Sequence, residues 1–177
     1  KQGLYSPEYE HDNCGAGFIC SLQGKKTNDI IHKALDILDC LEHRGAVSAD
    51  GKTGDGAGIL IEIPHEFFKN QCEFILPEAN EYAVGMVFLP QKDNQSSYCK
   101  GVLESELKKQ GLDVLGWRKV PVKHGVVGKI ASQTEPKIMQ IFVSKGNKSI
   151  SDHQFNNKLF CARKISEHTI LNSKLSQ

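Results

Sequence analysis

One stretch of this 177-residue sequence, residues 28–45, constrains the fold more than any other. Its apolar residues recur at spacings of three and four, which is the pattern of one face of an α-helix. Asn28 can cap the first turn. His43 and Arg44 fall in the last turn, and Gly45 is a typical stop signal. The apolar stripe consists of Ile30, Ile31, Ala34, Leu35, Ile37, Leu38 and Leu41. The sequence therefore predicts an amphipathic helix that ends at a glycine-rich loop.

Strand-like and helix-like segments alternate around this helix. Short apolar runs with β-branched residues predict strands, and longer amphipathic runs predict helices. The predicted strands are 14–22, 59–64, 82–90, 113–122 and 137–145. The predicted helices are 65–76, 96–111, which stops at Gly111, and 151–169, where Ser151 and Gln154 are in capping-box register. No repeat, low-complexity tract or linker interrupts the chain, so one domain is expected. The pattern alone leaves both an α/β fold and a layered α+β fold open.

Charge and cysteine usage exclude several classes of function. Lys plus Arg number 22 against 21 Asp plus Glu, so the sequence offers no electrostatic case for binding nucleic acid or an anionic membrane. No apolar run reaches the roughly 18–20 residues of a spanning helix, and the polar N-terminus is no signal peptide. The six cysteines form no C-x-x-C pair and no cluster at zinc spacing, which predicts reduced thiols, no metal site and a cytosolic or organellar protein. Five of them are expected in or near the core: Cys20, Cys40, Cys72, Cys99 and Cys161.

The sixth cysteine, Cys14, has unusual neighbours. A cysteine at a strand start is most often a small core residue. Gly15 and Gly17, however, let the backbone approach a ligand closely and leave space beside the thiol. No His or Asp stands at a recognisable spacing to act as its base. Cleavage before Cys14 would supply one, since a free α-amine titrates at about 7.7–8.0. Residues 1–13 are accordingly predicted to be a propeptide or lead segment.

The glycine-rich loop, residues 45–58, has two readings. Alternating glycines suggest a phosphate cradle, but the spacing is not G-x-G-x-x-G and no helix follows directly. We therefore favour a tight loop whose glycines adopt positive φ. Asp50 and Asp55 are expected to pair with loop amides or with Arg44. Arg44 either complements the helix dipole or is a buried anchor for the loop, and its polar, glycine-rich surroundings favour the anchor.

Taken together, three segments resemble one known family. "EHDNCGAGFIC", "ALDILDCLEHRGAVSADGKTGDGAGILIEIPHEFF" and "FNNKLFCARK" are similar to the start of the glutamine amidotransferase domain of the glutamate synthases. The resemblance covers nearly the whole chain. It departs from the family pattern at Ala16, where valine is usual. It implies an α+β fold of the four-layered αββα N-terminal-nucleophile (Ntn) hydrolase type, here incomplete. Residues 14–177 would be the N-terminal part of the domain.

The resemblance also implies a reaction. Cys14, freed by propeptide removal from a zymogen, would attack L-glutamine to give a glutamyl thioester and ammonia, which passes to 2-oxoglutarate. Gly15, Arg44, Gly45 and Asp55 would support the substrate site. Arginine and Asn-Gly motifs of the family lie further along than Gln177, so this segment alone is expected to be inactive.

The partners implied are the rest of a glutamate synthase chain and a small subunit or ferredoxin. FMN and an iron-sulfur cluster are implied for the full-length enzyme but not for this segment, and the location implied is cytoplasmic, or plastid in a photosynthetic eukaryote. Two alternatives stay open: a non-catalytic Ntn-fold binding domain, and an Ntn hydrolase acting on another amide.

Overall fold

The computed structural model describes residues 15–146 and 149–173, and within them the chain is a mixture of helices and antiparallel strands. The helices are α1 (Asn28–Cys40), α2 (His65–Gln71), α3 (Asp93–Lys109), α4 (Lys129–Ser132) and α5 (Asp152–Leu171). A 3₁₀ turn, Glu42–Arg44, follows α1. The strands are β1 (Tyr82–Leu89), β2 (Asp113–Lys119) and β3 (Lys137–Ser144). Mixed helix and sheet content agrees with the predicted α+β class.

The chain folds into two compact units, neither of which is a single continuous segment of the sequence. The first contains the chain up to Glu62 together with His124–Thr134. The second contains Ile63–Lys123 and the chain from Glu135 onward. The stretch His124–Thr134, which lies between β2 and β3 in sequence, therefore belongs to the unit that carries the glycine-rich loop.

The second unit is built on a three-stranded antiparallel sheet in the order β1-β3-β2. Its central strand β3 carries the buried residues Ile141, Phe142 and Val143, which alternate between the two faces of the sheet. On one face, Ile141 and Val143 pack with Leu107, Leu112, Phe155 and Ala162 under α3 and α5. On the other, Phe142 packs with Phe68 and Tyr82, and Phe68 meets it edge to face at 5.0 Å between ring centroids. Each face of the strand thus has its own apolar cluster.

The helix signals of the sequence are confirmed at the end of α3 and the start of α5, whereas α1 ends at Cys40, before the predicted stop at Gly45, and the helix predicted at 65–76 ends at Gln71. Helix α1 begins directly after its N-cap residue, Thr27, one position before the predicted cap, and its apolar stripe is half-buried apart from the exposed Leu35. Helix α3 ends before Gly111, whose φ of +72° suits a glycine. At α5, Ser151 and Gln154 form the predicted capping box, with Gln154 N donating to Ser151 Oγ at 3.2 Å.

Two predicted strands are wrong. Residues 15–22 and 59–64 are neither strand nor helix. A strand needs a hydrogen-bonded neighbour, and strand propensity reflects mainly how a side chain packs in such a sheet. Leu22 and Leu60 are fully exposed, whereas Ile63 packs against the cluster of Phe68, Tyr82 and Phe142. These runs are therefore only partly packed, and in the described part of the chain they form no strand.

The expectation for the cysteines is also corrected. Cys20, Cys40 and Cys161 are exposed, whereas Cys72 and Cys99 are partly buried. Cys161 precedes the fully buried Ala162 on α5, and a one-residue step turns a helix by about 100°, which carries the thiol away from the core. Cysteine content alone does not say which face of an element each thiol occupies.

Candidate functional site

The segment that follows Cys14 lies directly against helix α1. Cys14 itself is outside the described residues, but Gly15 and Gly17 are within them. A Cβ on Gly15 would lie 2.9 Å from Leu41 Cδ2 and 3.4 Å from Arg44 Cγ. A Cβ on Gly17 would lie 2.5 Å from Ile37 Cγ2. The close fit at these glycines is therefore to Ile37 of α1 and to Leu41 and Arg44 just after it, and the predicted approach of a ligand stays a prediction.

Arg44 lies in the 3₁₀ turn that continues α1, and its side chain is exposed. The turn is closed by Arg44 N, which donates to Leu41 O at 2.8 Å, and by Gly45 N, which donates to Glu42 O at 3.1 Å. The prediction that Arg44 is a buried anchor is wrong. The loop is held instead by Asp50 and Asp55, whose carboxylates accept hydrogen bonds from backbone amides of the loop. The exposed position at a helix C-terminus fits the other reading, a charge that complements the helix dipole.

The loop after Gly45 folds back on itself. Val47 and Gly54 form an antiparallel bridge, and Ser48 N donates to Thr53 O at 2.7 Å. Asp55 Oδ2 accepts a hydrogen bond of 2.8 Å from Ala46 N at the base of the fold. The prediction of a tight loop with positive-φ glycines is confirmed at Gly51 and Gly56, whose φ is +68° and +83°, but not at Gly45, whose φ is −90°. Asp55 is thereby placed beside Gly45.

Asp50 organises the tip of the same loop. Its Oδ1 accepts from Thr53 N at 2.8 Å and from Lys52 N at 3.1 Å, and its Oδ2 accepts from Thr53 Oγ1 at 2.7 Å. The hydrogen bond from the Thr53 hydroxyl, followed by those from the Thr53 and Lys52 amides, holds the pKa of the Asp50 carboxyl well below its ordinary value. The prediction that the loop aspartates pair with loop amides is confirmed for Asp50 and Asp55.

Sequence reasoning assigned no role to the neighbourhood of α4. The buried Gly128 faces the loop tip, and the Ile130 and Ala131 amides point to Asp50 and Thr53. A glycine immediately before a short helical run was the available signal. It carries no information about a partner roughly 80 residues away, so the contact could not be read from the sequence.

Four of the five predicted site residues thus lie in one neighbourhood. Gly15 lies beside Arg44, since a Cβ built on it would be 3.4 Å from Arg44 Cγ. Arg44 adjoins Gly45, and Asp55 accepts a hydrogen bond from the residue after Gly45. Across residues 15–146 and 149–173, no three His, Cys, Asp or Glu side chains are grouped so that they could hold a metal ion. No helix in that part of the chain has the length and apolar character needed to cross a bilayer.

Comparison with known proteins identifies relatives of this chain in sequence. The model of the family "Glutamine amidotransferases class-II" matches residues 14–177. The large chain of glutamate synthase (NADPH) from Bacillus subtilis is 42% identical over 168 residues, which are 94% of this chain and 11% of that protein. The corresponding large chain from Azospirillum brasilense is 42% identical over 176 residues, 97% of this chain and 12% of that protein. Ferredoxin-dependent glutamate synthase 2 of Synechocystis is 39% identical over 159 residues, 88% of this chain and 10% of that protein. The chain therefore spans about a tenth of the length of these relatives.

Proposed function

The chain belongs to the class II glutamine amidotransferases, and from that membership we propose that Cys14 is the nucleophile of a glutaminase site. The observation that carries the proposal is the start of the family match at residue 14, so that Cys14 is the first matched residue. The close packing of Gly15 and Gly17 on α1 supports it, because it fixes the backbone that leads directly to the thiol.

The proposed chemistry is acyl transfer through a thioester. The Cys14 thiol passes its proton to the base, and the thiolate attacks the carboxamide carbon of L-glutamine. The carbon–nitrogen bond breaks, and ammonia leaves with the proton that the base returns. Water then hydrolyses the glutamyl thioester to glutamate and regenerates the thiol. In this scheme Gly15, Arg44, Gly45 and Asp55 position the nucleophile and the adjoining loop.

We propose that the base is the α-amine of Cys14 itself. While Asn13 is attached, that nitrogen is an amide and has no basicity. Cleavage of the Asn13–Cys14 bond places an amine that titrates at about 7.7–8.0 beside the thiol. Residues 1–13 would then be a propeptide that keeps the protein a zymogen, and their position before the family match supports this division of the chain.

The longer protein is proposed to be a glutamate synthase that passes the ammonia to 2-oxoglutarate. The names of the relatives support a glutamate synthase, and they suggest NADPH or ferredoxin as the source of electrons. Ferredoxin would itself be the partner protein, whereas NADPH would deliver electrons through a small subunit. FMN and an iron-sulfur cluster would supply the redox chemistry. We propose that these cofactors bind in other parts of the full-length protein.

Two finer points belong to the same proposal. The complete domain is proposed to have the four-layered αββα arrangement, of which the three-stranded sheet with α3 and α5 on one face would be part. The location is proposed to be cytoplasmic, or plastid in a plant or alga. Relatives from Arabidopsis thaliana whose names include "chloroplastic" support the second possibility.

The test uses the full-length protein purified from its own host. N-terminal sequencing should show cysteine as the first residue, and glutamine should release ammonia at a rate abolished by Cys14→Ser. A diazoketone analogue of glutamine should label Cys14 by mass mapping. Cys40→Ser is the matched control, because Cys40 is exposed and lies outside the proposed site.

Different failures of this test point to different errors. Active protein that still begins upstream of Cys14 would rule out the α-amine base. Labelling and binding of glutamine without ammonia release would favour a non-catalytic binding domain. Hydrolysis of another amide in preference to glutamine would favour a different Ntn hydrolase.

A further inference from the structure

The contact between the tip of the glycine-rich loop and helix α4 is not used in the proposed chemistry. Ile130 N donates to Asp50 Oδ2, and Ala131 N donates to Thr53 Oγ1, both at 3.4 Å. The first N–H groups of a helix have no partner within it, and the N-cap residue of α4 is Gly128, which has no side chain to accept them. Two side chains about 80 residues earlier in the chain take that place.

The fit at this contact is close. Gly128 is buried, and a Cβ built on it would lie 2.2 Å from Thr53 Oγ1 and 2.4 Å from Asp50 Oδ2. Real Cβ atoms do not approach so near, so any side chain at this position would push α4 off the loop tip. The loop and α4 are therefore shaped to each other, and the long hydrogen bonds are only part of the contact.

The tip is linked to the base of the loop by a short chain of bonds. Thr53, held by Asp50, accepts from Ser48 N, and the next residue, Gly54, bridges to Val47. The residue after that, Asp55, holds Ala46 beside Gly45. Residues 53, 54 and 55 are thus each paired with a residue on the opposite side of the loop. A displacement of the tip can therefore reach the proposed site residues Gly45 and Asp55 through these three pairs.

We propose that Asp50 and Thr53 are positioning residues that cap α4 in place of its own N-cap side chain and so brace the loop carrying Gly45 and Asp55. The effect on catalysis rests on the proposed glutaminase function. Neither side chain touches glutamine in this account. They act through the backbone of the loop. The brace is the contact of these two side chains with the stretch His124–Thr134.

The chain offers substitutions that weaken the contact between the loop tip and α4. In Asp50→Asn, one carbonyl oxygen can still accept from the Lys52 and Thr53 amides. The NH₂ group that replaces Oδ2 can donate to Thr53 Oγ1 but cannot accept from Ile130 N. Thr53→Val keeps the shape and removes the hydroxyl, whereas Thr53→Ser keeps the hydroxyl. Gly128→Ala fills the contact, and Gly58→Ala is its control, because a Cβ on Gly58 meets no atom within 4 Å.

The experiment measures amide hydrogen exchange of residues 128–134 and glutamine turnover per site counted by Cys14 labelling, both in the full-length protein. Asp50→Asn, Thr53→Val and Gly128→Ala should each speed exchange of that peptide about tenfold. They should lower kcat per labelled site by about ten- to a hundredfold, the order expected when a reacting group is misplaced by an ångström or so. Thr53→Ser and Gly58→Ala should match the wild type in both measurements.

Counting sites by labelling separates positioning from loss of folded protein, since a merely destabilised variant would have fewer sites of normal kcat. Unchanged exchange in Asp50→Asn and Thr53→Val would overturn the brace itself. Faster exchange with normal kcat per site would overturn its positioning role. If the wild type hydrolyses no glutamine, the proposed function and the positioning role both fail, while the exchange result still decides whether the brace exists.

Discussion

Glycine serves two separate purposes around the proposed site. Gly51 and Gly56 provide backbone conformations with positive φ, which other residues adopt at a cost. Gly17 and Gly128 instead provide space, because a Cβ on either would overlap a neighbouring group. Gly15 is less restrictive than Gly17, since its closest neighbour is the flexible end of the Leu41 side chain. A substitution at each position should therefore fail for a different reason.

The Gly17 contact leads to a double-mutant prediction. Gly17→Ala should lower the free energy of unfolding by about 1–3 kcal/mol, because the new methyl overlaps Ile37 Cγ2. Ile37→Ala removes that methyl group, so the double variant should lose less stability than the two single variants combined. Denaturant unfolding of the four proteins measures this coupling, expected at about 0.5 kcal/mol or more. Additive losses would show that the clash is relieved by backbone movement instead.

At the scale of elements, helices were easier to place than strands. The C-terminus of α3 follows from a stop glycine, and the N-terminus of α5 follows from a capping box. Both are local signals. Residues 59–64 look like a strand by composition, yet a strand exists only where another strand pairs with it. The true strands β1 and β2 both pair with β3, which comes after both of them in the sequence.

The same substitution should have opposite effects on a helix and on a strand. Gly101 is an exposed interior residue of α3 with open space around it, so Gly101→Ala should raise the free energy of unfolding by about 0.5–1 kcal/mol. Gly116 on β2 leaves room for Phe74, whose Cδ1 would lie 2.4 Å from a Cβ there. Gly116→Ala should therefore lower the free energy of unfolding by about 1–3 kcal/mol. Thermal melts of the two variants compare the signs, and a stabilised Gly116→Ala would contradict this packing.

At the scale of the whole molecule, the five thiols of the described residues fall into two accessibility classes. Cys20, Cys40 and Cys161 are exposed. Burial raises the pKa of the Cys72 and Cys99 thiols, which lowers their thiolate fraction at neutral pH. The nearby Arg118 opposes this shift at Cys72, but the burial effect is the larger. The reactive thiolate is therefore scarcer, and less accessible, at the two partly buried positions.

Alkylation with iodoacetamide at neutral pH should follow these classes. Mass mapping at short times should find Cys20, Cys40 and Cys161 modified well before Cys72 and Cys99, and denaturant should remove the difference. Early modification of Cys72 would show that the cluster around Phe68, Tyr82 and Phe142 opens more readily than its packing indicates.

Much of this protein follows from the sequence alone. The spacing of apolar residues suffices for α1, and terminal signals suffice for the end of α3 and the start of α5, because helix hydrogen bonds and caps join residues a few positions apart. The motif residues likewise suffice for the family, and the match from residue 14 confirms it. The tight glycine loop and the pairing of its aspartates with loop amides were also within reach, since both are local.

Only the tertiary structure decided the contacts between distant residues. Arg44 is exposed rather than buried because Asp50 and Asp55 satisfy the loop amides without it. The sheet order β1-β3-β2 and the placement of α4 on the loop tip depend on pairings across tens of residues. Such pairings are set by shape and burial in the folded chain, which a local pattern of residues does not contain.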